Sequence, residues 1–138
     1  MSARADILDA LVAKIKESIT SVNTKNISDR AIFWDEINDF PFISVVLGVE
    51  EREYLPANFK WGYLNIKIRV YVDDEYAQKV LETVIEEIET ILDNNNSLQY
   101  RAGKSTELIS IINITTDEGV LHPIGVGEIL IVIQYAIE

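Results

Sequence analysis

Gly127-Glu128-Ile129-Leu130-Ile131-Val132-Ile133-Gln134-Tyr135-Ala136-Ile137 is the stretch whose reading decides the fold. In an extended chain, successive side chains point to opposite faces. Ile129, Ile131, Ile133, Tyr135 and Ile137 then share one face, while Leu130, Val132 and Ala136 share the other. Both faces are apolar, so both need cover. Either the strand lies at the centre of a layered fold, or a second subunit supplies part of the cover. The second option makes the chain a building block.

The elements that could supply this cover lie upstream. Ile7, Leu8, Leu11, Val12, Ile15 and Ile19 recur at helical spacing and predict a helix over about residues 4–22, with Ser2 as its N-cap. Asn23, Asn26 and Ser28 read as loop, and Ala31-Ile32-Phe33-Trp34 as a short strand. Phe40-Pro41-Phe42 opens a firmer strand through Val49, with proline where a missing donor does least harm. Residues 50–58 read as a polar connection. Residues 61–72 alternate cleanly, with Leu64, Ile66, Ile68, Val70 and Val72 opposite Asn65, Lys67, Arg69 and Tyr71. A second helix follows over about residues 74–93, capped by Asp73 or Asp74. Its apolar face is Val80, Leu81, Val84, Ile85, Ile88, Ile91 and Leu92, and Asn94-Asn95-Asn96 ends it in the left-handed conformation that asparagine tolerates. A polar loop at 99–106, a strand at 108–116 and a turn region at 117–126 lead into the terminal strand.

No linker or repeat divides the chain, so residues 1–138 read as one α+β domain. The expected architecture is two-layered. A mostly antiparallel sheet of four to five strands carries two helices on one face. The helices should cover the Ile129, Ile131, Ile133, Tyr135 side and leave the Leu130, Val132, Ala136 side short of cover.

Composition narrows the function. Hydrophobic residues at 48% and charged residues at 25% fit a globular chain rather than a disordered one. No apolar run is long enough for a membrane span, and the first residues lack the apolar core of a signal peptide. With no cysteine, disulfides, thiolate metal sites and cysteine nucleophiles are excluded. The net charge of −11 argues against a groove that grips nucleic acid, which needs concentrated Lys and Arg.

Chemical motifs are scarce. Ala102-Gly103-Lys104-Ser105-Thr106 has the end of a phosphate-binding loop, but Leu98 stands where its first glycine belongs and a strand follows instead of a helix. His122, the single histidine, sits between Leu121 and Pro123 with no nucleophile motif for it to serve. No second histidine or calcium-type loop completes a metal site. Glu82, Glu86, Glu89 and Asp93 read as a solvated helix face. These absences predict no catalytic, cofactor or metal site. Tyr54, Phe59, Trp61 and Tyr63 crowd among Glu50, Glu51, Arg52, Glu53 and Lys60, which suits either partner contact or a long hairpin folding back on the core. The candidate interface residues are Arg52, Tyr54, Phe59 and Trp61, then Arg101 and Lys104, then Leu121, His122 and Ile124.

Several pieces in order carry a resemblance. They are the helix at 7–19, Phe40-Pro41-Phe42-Ile43-Ser44-Val45, the alternating strand at 64–72, the helix at 76–92, and Thr116-Asp117-Glu118-Gly119-Val120-Leu121-His122-Pro123-Ile124-Gly125-Val126-Gly127-Glu128 with its final strand. Together they resemble the tail terminator, or tail completion, proteins of long-tailed bacteriophages. The resemblance implies a virion protein of the tail or neck, assembled in the host cytoplasm. It implies a homohexameric ring that caps the tail tube protein, ends its polymerisation, and docks to the head–tail connector or neck protein while DNA passes through without specific binding. Six copies would carry roughly −66 (6 × −11), a field that keeps transiting DNA from adhering. The alternative is a small dimeric α+β module that binds a ligand or regulates.

Overall fold

The computed structural model describes residues 2–137. Helix α1 spans Ala3–Ser18, and strand β1 is the short Ile27–Ser28. Strands β2 (Phe42–Leu55) and β3 (Phe59–Asp73) form a long hairpin, followed by helix α2 (Ala77–Asn94). A small hairpin of β4 (Gln99–Arg101) and β5 (Lys104–Ser105) precedes β6 (Leu108–Thr116) and β7 (Ile124–Ile137). The main sheet has five strands in the order β1-β2-β3-β7-β6. All its pairs are antiparallel except β1 with β2. The fold is α+β, with β7 inside the sheet between β3 and β6, so its edges are paired while its two faces depend on what packs above and below.

Alternation along the strands sorts the faces. Ile129, Ile131 and Ile133 of β7 align with Ile68, Ile66 and Leu64 of β3, and all are fully buried. They join Ile7, Leu11 and Ile15 of α1 and Leu81, Val84, Ile85 and Ile88 of α2 in one core. Burying each such side chain is worth about 1.5–3 kcal/mol relative to exposure. Two glycines let α2 lie close to the sheet. A Cβ at Gly127 would meet Ile85 Cδ1 at 2.9 Å and Leu81 Cδ1 at 3.1 Å. One at Gly125 would meet Ala77 Cβ of α2 at 3.2 Å as well as Val72 Cγ2 of β3 at 2.9 Å.

Several local expectations change. Helix α1 stops at Ser18 rather than near 22, although Ile19 and Val22 remain in the core. The predicted strand at 31–34 is absent. The pairing strand is Ile27–Ser28, and Trp34–Glu36 is a single 3-10 turn. The buried Asn26 Nδ2 donates to Asp39 Oδ2 at 3.0 Å and to the Pro41 carbonyl at 3.3 Å, fastening this irregular segment. Residues 50–55 belong to β2, so the polar connection is a hairpin with Ala57 and Asn58 at positive φ in its turn. Tyr76, not Asp73 or Asp74, is the N-cap of α2, while Asp74 Oδ1 accepts from the Tyr76 amide at 2.8 Å. The asparagine end of α2 is not left-handed, since Asn95 has φ −136° and its side chain donates to the Ile91 carbonyl. The loop at 99–106 is a hairpin turning at Gly103, with φ +74°.

Candidate functional site

The β2–β3 hairpin end gathers the first candidates. Past Leu47 the ladder skips one residue, so Gly48 and Val49 together face Asn65. This bulge resets the alternation. Val49, which plain alternation would put in the core, is 69% exposed, whereas Glu50 aligns with the buried Leu64. Tyr135 donates its hydroxyl to Glu50 Oε1, and Arg52 Nε donates to Glu50 Oε2 at 2.8 Å. Burial first, then the bond to Glu50, pushes the Tyr135 phenol well above its ordinary pKa. Alternation from Arg52 seats its side chain on the helix side.

The aromatic residues do not fold back onto the core. Phe59, Trp61 and Tyr63 alternate onto the face opposite the helices, with Phe59 and Trp61 edge to face at 4.9 Å. Tyr63 donates to Glu53 Oε1 at 3.1 Å. Tyr54 is 68% exposed, with Lys60 Nζ 5.5 Å from its ring centroid.

Arg101 and Lys104 come to this same end. Together with Arg4, Arg52, Tyr100 and Tyr135 they line a cleft of about 280 Å³. Arg101 Nε donates to Asp6 Oδ2 at 2.6 Å, tying the small hairpin to α1. The tail-like Gly103-Lys104-Ser105-Thr106 run serves structure here. Thr106 Oγ1 accepts from the Leu98 amide at 2.8 Å, and β6 rather than a helix follows.

Leu121, His122 and Ile124 lie at the opposite end of β7. Ile124 aligns with Asp73 at one end of the β3–β7 ladder and Ile137 with Lys60 at the other. At about 3.3 Å per residue the two ends stand roughly 45 Å apart. Asp117 organises this second end. Its Oδ1 accepts from the Gly119 and Val126 amides at 3.4 and 3.3 Å, and its Oδ2 from the Leu121 amide at 3.2 Å. His122 Nε2 lies 3.0 Å from the Glu75 carbonyl, so the imidazole braces the start of α2. Leu121 borders a largely apolar pocket of about 280 Å³ with Phe33, Trp34, Tyr71 and Val126.

Sequence reasoning missed several exposed apolar positions, Phe33, Val120 and Ile112 among them. Phe33 is 74% exposed on a segment read as a strand, Val120 caps the Asp117 turn, and Ile112 protrudes where β6 bulges. Only Gly48 hinted at a break in alternation; nothing comparable marks Ile112. The Leu130, Val132, Ala136 face of β7 is half-buried by neighbouring strands, and neither α1 nor α2 lies over it.

One carboxylate stands out chemically. Partial burial raises the Glu87 pKa, but hydrogen bonds from the Ser21 and Thr20 hydroxyls and amides outweigh it and hold the value down at about 2. This is a staple between α2 and the segment after α1. Among the described residues no group of three His, Cys, Asp or Glu could hold a metal ion, and no helix is long and apolar enough to cross a membrane.

The arrangement is an α+β fold with the candidate residues gathered at the two ends of its sheet. The same fold occurs in a chain of the virion of a native gene transfer agent particle. The TM-score is 0.74 with 99% of each chain covered, and the 9% identity makes this a likeness of fold. The family described as Bacteriophage Tail Tube Terminator Protein matches residues 1–138, and the chain belongs to that family. It is 29% identical to the tail tube terminator protein p142 of Escherichia phage T5, over 98% of this chain and 94% of that protein. The expected family resemblance holds, and the chain is a component of the virion tail.

Proposed function

We propose that this protein is a non-enzymatic subunit of a homohexameric ring that seats on the last ring of tail tube protein, stops its growth and presents a docking surface to the head–tail connector or neck protein. The observation that carries the reading is the unequal cover of β7, with α1 and α2 on one side and, among the described residues, only the irregular segment around Phe33 and Trp34 near one end of the other. Family membership supports the tube as partner. The 45 Å separation of the two candidate clusters supports two axial partners. In this reading Arg52, Tyr54, Phe59, Trp61, Arg101 and Lys104 meet the tube, and Leu121, His122 and Ile124 face the head side. DNA passes through the centre without specific binding, repelled by a net charge of −11 per copy.

Cryo-electron microscopy of the protein mixed with purified tail tubes tests this. The expected result is one added ring at a single tube end. Absence from tube ends, or binding along the tube wall, overturns it. A monomer in tube-free solution decides nothing, because the tube can nucleate the ring.

A further inference from the structure

The sheet has two open edges, and they match each other. On one side β1 pairs with β2 only at Ile43 and Ser44, so β2 from Val45 onward has no strand on the side away from β3 among the described residues. On the other side β6 pairs only with β7. The start of β6 is covered, since the Ile109 amide donates to the Asn96 carbonyl at 2.9 Å. Ile111, Ile114 and Thr116 align with the same alternate residues of β7 as Ile109 does, so their backbone groups also point outward.

Edge strands are normally guarded by lysine, proline, extreme shortness or bulges. Each edge here carries one bulge, at Gly48–Val49 and at Ile112, but no charge or proline guards either. β6 contains no charged residue and no proline, and neither do residues 42–49 of β2. Both edges instead carry exposed aliphatic side chains, Leu47 and Val49 on one and Ile112 and Ile114 on the other. Leu47, Ile112 and Ile114 fall in neighbouring rows of the sheet, and Val49 stands one row beyond Leu47, opposite Asn65. Val45, Ile68, Ile129 and Ile114 form one row across the sheet, and Leu47, Ile66, Ile131 and Ile111 the next.

Strand sense completes the match. The β2–β3, β3–β7 and β7–β6 pairs are all antiparallel, so β2 and β6 run in opposite directions. Rotating a copy about an axis along the strands preserves every sense. The β2 edge of one copy then meets the β6 edge of the next as an antiparallel pair, the more stable ladder. The contact is head to tail, which closes into a ring when the rotation closes.

We propose that subunits join by antiparallel pairing of the free part of β2, near Val45–Val49, with β6 near 111–116 of the adjacent copy, sealed by Leu47 and Val49 against Ile112 and Ile114. This deepens the ring reading and rests on it. The native chain has no cysteine, so engineered pairs report cleanly. Leu47→Cys or Val49→Cys is combined with Ile112→Cys or Ile114→Cys, assembled on tail tubes and mildly oxidised. At least one of the four double variants should give a covalent ladder reaching the ring number on a non-reducing gel, because a disulfide forms only where Cα atoms come within about 7 Å. Rings visible on tubes with no ladder in any pair overturn the pairing and leave the ring reading standing. Wild-type protein that forms no ring on tubes overturns both. Separately, Ile112→Lys with Ile114→Lys should melt within a few degrees of wild type yet lose at least tenfold in ring assembly. Undiminished assembly overturns the pairing, and if that variant does not fold, the cysteine set decides alone.

Discussion

The two faces of the sheet are made of similar strands and meet different fates. On the helix side, Ile129, Ile131 and Ile133 are fully buried under α1 and α2. On the other side, Leu130, Val132 and Ala136 are half-buried among strand neighbours such as Asn65, Lys67 and Ser110. One face belongs to the stability of the single chain. The other is apolar beyond what the single chain uses. Apolar content alone therefore does not reveal what a side chain packs against; the location of the helices does.

The sharpest way to break this comparison is to remove a side chain from the covered face. Ile131→Ala should cost about 2–5 kcal/mol by leaving a cavity between β7 and the helices, read by urea unfolding. A loss below about 1 kcal/mol would mean that the two faces are not so different. Tyr135→Phe should cost about 1–2 kcal/mol, because the buried Glu50 loses a donor but keeps Arg52. Restored stability in Tyr135→Phe with Glu50→Gln would locate the effect in that pair.

Glu87 sharpens the comparison through pH. Its folded pKa, about 2, lies below the unfolded 4.5, so the stabilisation is complete above about pH 4.5 and disappears as pH falls toward 2. With solvent screening it amounts to about 1–2 kcal/mol. Glu87→Gln should flatten the stability profile between pH 5 and 2 without touching the sheet. On the bare face, Val132→Asp should move unfolding by no more than about 1 kcal/mol and yet impair assembly on tail tubes, read by counting capped tube ends. A large loss of monomer stability would show that this face already serves the isolated fold.

Much of the fold was legible because period and face agreed. Residues 64–72 alternate strictly, and the α2 stripe from Leu81 to Leu92 is nearly all buried. The same logic failed where cover comes from irregular chain. Ser44, opposite Arg69 on the face away from the helices, is fully buried because the irregular segment before β2 lies over it, with its hydroxyl donating to the Arg30 carbonyl. Tyr71 is buried on that face too. Arg52 and Tyr54 read as part of a polar connection but sit in β2, and Arg101, read in a polar loop, is tied to α1. Long-range bonds such as Arg101 to Asp6 leave no trace in local spacing.

The bulge at Gly48 and Val49 makes β2 a strand with a slack joint. Deleting either residue would let Glu50 stay opposite Leu64 and Arg52 opposite Gly62, so everything beyond the joint would keep its side of the sheet. A deletion between 50 and the hairpin turn has no such freedom, and would carry Glu51 or its neighbours across to the core. The hairpin end can thus change length by one residue at a single place without its chemistry changing. Relatives that differ in length there need not differ in what they touch.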